Sequence, residues 1–254
     1  MTSASGRRTR VLDNQQRRSG PHAAHALLEL LGGPMKTRDS RSGRPDPLRA
    51  HFLFDCEGKS FAYCRIRKNG CSAFQKFIIE TSPHRRRGAG GGMVFLRRFH
   101  GVNRKRAIEA ADHRILVFRD PVERIRSLFV NKFVQRKDCD DIFRSYRAVT
   151  GRDPLEASLR DFILRYVSRL GETPLDPHVW PQHWHLSHII YDRVFPLGEL
   201  HDGMVETIGQ DLANKFFQRK VNSSPLSDVT IDKDLLERIS YIYKEDLKMI
   251  CRVT

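Results

Sequence analysis

The sequence has no long apolar run, no C-x-x-C pair, no Walker A loop and few acidic side chains for its basic ones. Each absence closes a route. A membrane-crossing helix needs about 20 apolar residues in succession. The nearest approach, AAHALLELLGG, is far shorter, and its flanks do not fit a secretory signal. The cysteines Cys56, Cys64, Cys71, Cys139 and Cys251 are scattered and odd in number, which argues against a disulfide framework or a cysteine zinc site. A reducing, cytoplasmic setting fits that usage. Asp and Glu total 30 against 45 Lys and Arg, a net charge of +15. Anionic partners follow: nucleic acid, phosphorylated cofactors, acidic glycans or membrane surfaces.

What is present supports a folded domain. A chain of 254 residues with 39% hydrophobic content can build a core without covalent staples. Residues 1–50 are rich in Arg, Ser, Gly and Pro and read as a disordered basic arm, with one helical patch over Ala23–Leu31. The arm loosely imitates a transit peptide, and Met35 is an alternative start. The folded domain is expected over residues 51–254.

HFLFD and SFAYCRIR alternate as strands. AFQKFIIE has helical spacing, HRRRGAGGGM reads as a glycine loop, and RILVF suits a strand buried on both faces. Helices are expected over Val122–Gln135, Leu155–Leu170, Met204–Phe217 and Asp234–Met249. Strand and helix alternate, which predicts an α/β fold with a central parallel sheet flanked by helices.

Two strand-to-helix junctions carry chemistry. In RIRKNGCSAFQKF, a tight glycine turn leads into a helix start, where backbone N–H groups and the helix dipole favour an anion. Lys68 adds a mobile charge and Ser72 a hydroxyl. Taken alone, Lys-Asn-Gly also reads as an ordinary turn. In RILVFRDPVERIRSLFVNKF, Asp120 suits the N-cap, Pro121 the first helical position, and Glu123 a capping box. Arg119 has no such explanation. It ends an apolar strand at the carboxyl edge where parallel sheets bind ligands. Arg119 and Ser127 are spaced to clamp one phosphate.

These two boxes together resemble the family 2 sulfotransferases, the carbohydrate group that includes chondroitin and dermatan enzymes. Two later stretches, DPHVWPQ with YDRVFPLGEL, and VNSSPLSD with LLERISYIYKEDLKMI, resemble that family's following blocks in order. The resemblance runs from about residue 60 to 250. It implies a P-loop-like three-layer fold and the co-substrate 3′-phosphoadenosine 5′-phosphosulfate (PAPS), with no metal. Lys68, Asn69, Gly70, Cys71 and Ser72 then hold the 5′-phosphosulfate, and Arg119 and Ser127 the 3′-phosphate. Arg67 replaces the usual proline and Cys71 a common threonine. The flanking cysteines and membrane anchor of secreted relatives are missing, which favours a soluble, bacterial-type enzyme.

The implied reaction is in-line sulfuryl transfer to a hydroxyl of a glycan or another acceptor, anionic ones included. Lys68 is the candidate for stabilising the leaving oxygen. His100 is the first candidate for the base, because related enzymes place a histidine between the boxes; His178, oriented by Asp176, is the alternative. His178, His183, His185 and His188 fit no strong zinc spacing. A P-loop kinase and a basic nucleic-acid-binding protein are the rival readings. The kinase lacks its Walker lysine, and no zinc finger or RNP pattern supports nucleic acid.

Overall fold

The computed structural model describes residues 46–85, 91–186, 188–218 and 229–253. Residues 1–45 of the arm expected over 1–50, the stretch 86–90 of the glycine loop and the VNSSPLSD loop lie outside the described residues, while Leu48–Ala50 of that arm forms a 3-10 turn.

Strands β1 (His51–Cys56), β2 (Lys59–Cys64), β3 (Gly101–Val102), β4 (His113–Phe118) and β5 (Arg193–Pro196) form one sheet in the order β3-β1-β2-β4-β5. The sheet is mixed, which corrects the expectation of a parallel one. β2, β4 and β5 run parallel, whereas β1 is antiparallel to both β2 and β3. The cause is local. Glu57 and Gly58 both have positive φ, at 50° and 76°. That pair makes the two-residue hairpin turn whose twist matches the strands, so β1 must fold back on β2.

Alternation along the strands sorts the core. Phe52, Phe54, Phe61, Tyr63, Ile115 and Val117 face one side. There they meet helices α1 (Cys71–Thr81), α6 (Leu200–Ile208) and α7 (Gln210–Phe217) through Phe74, Phe77, Met204 and Phe217. Each fully buried phenylalanine stabilises this layer by about 1.5–3 kcal/mol relative to exposure. Leu53 and Ala62 face the other side and meet Ala107 and Ile108 of α3 (Lys105–Glu109).

A second core is helical. It joins α4 (Pro121–Phe129), α5 (Asp140–Thr150) and α8 (Lys233–Ile242) through Ile125, Leu128, Tyr146, Phe162 and Ile239. A last helix, α9 (Lys244–Val253), follows α8 across Tyr243. Several expected helices are interrupted. Val130–Val134 is a π-helical turn after α4, and Leu155–Leu170 divides into short α, π and 3-10 pieces. Gly209, at φ 83°, separates α6 from α7. The glycine-rich stretch also holds more order than expected, since Gly92–Phe99 forms α2.

Candidate active site

The β2–α1 junction begins with backbone strain. Lys68 has φ 71°, in the left-handed region that a β-carbon disfavours, and Gly70 follows at φ 75°. A Cβ at Gly70 would lie 2.9 Å from Leu200 Cδ2, so glycine is needed there for space as well as for conformation. α1 starts at Cys71 with no side-chain cap and no acidic residue in its first turn. Ala73 N bonds back to Gly70 O at 3.0 Å, while neither a cap side chain nor an acidic residue of the first turn offsets the positive dipole end. Cys71 is half-buried and Ser72 exposed beside them.

The second junction lies next to the first. Asp120 Oδ1 accepts from Val122 N and Glu123 N at 2.9 and 3.0 Å, and Pro121 opens α4 as expected. The Glu123 carboxylate reaches Arg119 Nη2 at 3.8 Å and Arg126 Nη1 at 3.5 Å, in place of the return half of a capping box. Ser127 sits one turn beyond Glu123 and therefore on the same face of α4 as the Arg119 contact.

Asn69 and Gln182 join the two junctions. Asn69 is fully buried, and its Nδ2 donates to Val117 O at 2.9 Å and Gln182 Oε1 at 2.6 Å. Gln182 is also fully buried and hydrogen-bonds the backbone of Arg119. Gln182 N in turn donates to Asp246 Oδ2 at 2.8 Å, and His183 N to Asp246 Oδ1 at 3.0 Å. Asp246 belongs to α9 and is fully buried. The I-Y-x-x-D block thus braces the site from behind. Tyr243 OH adds a 2.6 Å bond to Val179 O.

Arg124 ties the same segments from below. Its guanidinium is fully buried, with Nε donating to Arg67 O at 3.2 Å and Nη2 to His178 O and Trp180 O at 3.1 and 2.7 Å. Arg124 Nη1 and Asn69 Oδ1 are buried without a hydrogen-bond partner. Lys132, also buried, donates from Nζ to Lys137 O and Asp138 O at 2.7 and 2.9 Å and closes the loop after the π-helical turn.

Cations thus converge with few carboxylates between them. Burial lowers Lys68 to about 8; Cys71 opposes it, and the charges of Arg119, Lys132 and Arg124 add to it. Burial likewise lowers Arg119, with Glu123 opposing. Such a cluster is set up to receive an anion.

The two candidate bases are placed very differently. His178 Nδ1 lies 2.6 Å from Asp176 Oδ1, and Arg67 Nη1 lies 3.0 and 3.2 Å from its two ring nitrogens. Arg67 directly precedes Lys68, which brings this pair to the first junction. His100 lies at the edge of the sheet, where helix α2 meets β3, and at the C-terminal end of α1. Its Nδ1 bonds Leu53 O at 2.8 Å and its Nε2 bonds Ser82 Oγ at 2.9 Å. A carbonyl only accepts, so Nδ1 carries the proton and Nε2 accepts from the Ser82 hydroxyl. β1 lies between His100 and β2, and the structure does not bring His100 to Lys68 and Arg119.

The histidines of the 178–188 stretch do not converge either. His183 Nδ1 turns to Asp246 at 2.7 Å and His185 Nδ1 to Pro181 O at 3.1 Å. Among the described residues, no group of three potential metal ligands comes together.

Gln182, Asp246, Arg124 and Lys132 had no role assigned from sequence. Their signal was present, since all four fall inside the quoted blocks. Buried polar side chains in such blocks must find partners. No curated protein and no solved structure gives a match that supports a comparison. A family model described as "Sulfotransferase family" matches residues 51–249, most of the chain. With its two junctions and the blocks that brace them inside that match, the chain belongs to the sulfotransferase family, in its family 2 branch.

Proposed function

We propose that the protein transfers a sulfuryl group from PAPS to a hydroxyl of an acceptor, a carbohydrate or glycoconjugate, in the cytoplasm and without a metal. One observation carries the reading of the donor. The uncapped start of α1 and the strand-end Arg119 are locked side by side through Asn69 and Gln182, within a cluster of cations. A nucleotide with anionic groups at both ends suits two adjacent anion sites held at fixed separation. The carbohydrate acceptor is supported by the resemblance of the boxes to the carbohydrate group. The P-loop-like three-layer reading is supported by the strand–loop–helix order at β2 and α1.

Asn69, Gly70, Cys71, Ser72 and Lys68 would hold the 5′-phosphosulfate, and Arg119 and Ser127 the 3′-phosphate. When bound, PAPS supplies the sulfuryl group and a phosphate leaving group. Lys68 Nζ stabilises the charge that grows on the leaving oxygen. The acceptor oxygen bonds to sulfur, the S–O bond to phosphate breaks with its electron pair, and the hydroxyl proton goes to the base. We assign that base to His178 Nε2 in preference to His100. Asp176 orients the His178 ring, and Arg67 brings it to the first junction, whereas His100 lies beyond β1 at the edge of the sheet.

The test is transfer of labelled sulfate from PAPS to a panel of glycans, lipids and small hydroxyl compounds, with thermal shift by adenosine 3′,5′-bisphosphate beside it. Transfer to glycans and stabilisation by the bisphosphate are expected. Stabilisation by ATP–Mg or by an oligonucleotide alone would sink the reading.

A further inference from the structure

Arg67 makes a contact that the reaction scheme does not use. Asp176 Oδ1 accepts both His178 N at 2.8 Å and, at 2.6 Å, the Nδ1 proton of the same ring. With Nδ1 donating, the acceptor on the imidazole is Nε2. Arg67 Nη1 lies 3.0 Å from Nδ1 and 3.2 Å from Nε2, so the guanidinium sits against the face of the ring and leaves the in-plane Nε2 lone pair free of it. The arrangement is rigid from behind. Arg124 bonds the carbonyls of both Arg67 and His178, and Asp176 N donates to Tyr166 OH at 2.9 Å.

The charges facing the ring come from several elements. Asp176, on the same loop, favours the protonated form. Arg67, from the β2–α1 loop, and Lys132, from the π-helical turn, oppose it. Arg124, from α4, lies under the His178 backbone. Burial acts with the cations to lower His178, against the pull of Asp176.

We propose that Arg67 is a positioning residue for His178: its guanidinium, packed against the imidazole, holds the ring at the β2–α1 loop and keeps it uncharged by like-charge proximity, so that Nε2 can take the acceptor proton. The inference rests on the reading of His178 as the base. It gives the residue before Lys68 a role in proton transfer, separate from nucleotide binding.

The test is an NMR pH titration of the full chain, following the His178 ring nitrogens and assigning them with His178→Asn. In the parent protein the midpoint should lie below the ordinary histidine value of about 6.5. Arg67→Ala should raise it by roughly one pH unit, as expected for loss of an adjacent like charge. Arg67→Lys, which keeps the charge, should stay close to the parent. If Arg67→Ala does not fold, Arg67→Gln, which can still donate a hydrogen bond, should show the same rise. An unchanged midpoint in the neutral variant, or an equal rise in Arg67→Lys, would overturn the proposal. The acid limb of kcat/KM should move with the NMR midpoint. Should His178→Asn keep full turnover while the NMR midpoint still follows the charge at residue 67, the assignment of the base fails and the role of Arg67 in holding the ring neutral stands.

Discussion

The side-chain amide of Gln182 and the backbone of Arg119 bond each other in both directions: Nε2 donates to Arg119 O at 2.8 Å, and Oε1 accepts from Arg119 N at 3.0 Å. Because Oε1 also takes Asn69 Nδ2, one amide positions the residues that open both junctions proposed to hold the nucleotide.

Gln182→Met keeps the volume and removes both partners of the Arg119 peptide groups. Each buried group left unpaired costs about 1–3 kcal/mol, so stability in urea should fall by about 2–4 kcal/mol. Calorimetry should also show affinity for adenosine 3′,5′-bisphosphate at least tenfold weaker. Lower stability with unchanged affinity would reduce Gln182 to a packing residue.

Arg119→Ala and Ser127→Ala should weaken adenosine 3′,5′-bisphosphate while sparing adenosine 5′-phosphate. Loss of a charge-assisted contact costs roughly 1.5–3 kcal/mol, which reads as about 10- to 150-fold in Kd. Equal losses for the two nucleotides would remove the 3′-phosphate from this corner of the site.

Lys68 is lowered to about 8 by burial and its neighbouring cations. A lysine is charged below its pKa and neutral above it. Affinity for the bisphosphate should therefore be complete at pH 7 and fall by as much as about tenfold between pH 8 and 9. Lys68→Arg stays charged throughout, and its binding should be flat over that interval. A parallel fall in the arginine variant would assign the pH dependence to another group.

Arg124→Lys keeps the charge but loses the planar fork that serves Arg67 O, His178 O and Trp180 O. The loss should be about 3 kcal/mol, or roughly 6–12 °C in Tm for a domain of this size. Calorimetric melting checks it. A variant melting with the parent would mean that the loop carbonyls find other donors.

What could be read in advance was local. RILVF, the Asp120–Pro121 start and the KNG turn each carry their signal within a few residues, and β4, α4 and the β2–α1 junction follow them. Helix α2 was hidden because glycine is a poor helix former. Gly92 opens α2 close against the Gln75 side chain of α1, a contact made across two helices. The antiparallel turn of β1 depends on Glu57 adopting positive φ, which its residue type does not advertise. His100 sits at a suitable interval along the chain, yet interval does not report strand order, and β3 lies at the edge of the sheet. The Asn69–Gln182 bond spans 113 positions, beyond any periodic pattern.

The placement of Asp246 has a consequence for biosynthesis. Domains generally fold as units while the chain is made, N-terminal parts first. Both strand-to-helix junctions leave the ribosome early, but the carboxylate that seats Gln182 N and His183 N arrives only with α9. A nascent chain halted before residue 246 would carry every residue assigned to the nucleotide and still lack the brace that aligns them. Competence to bind should therefore appear abruptly, with release of the last helix.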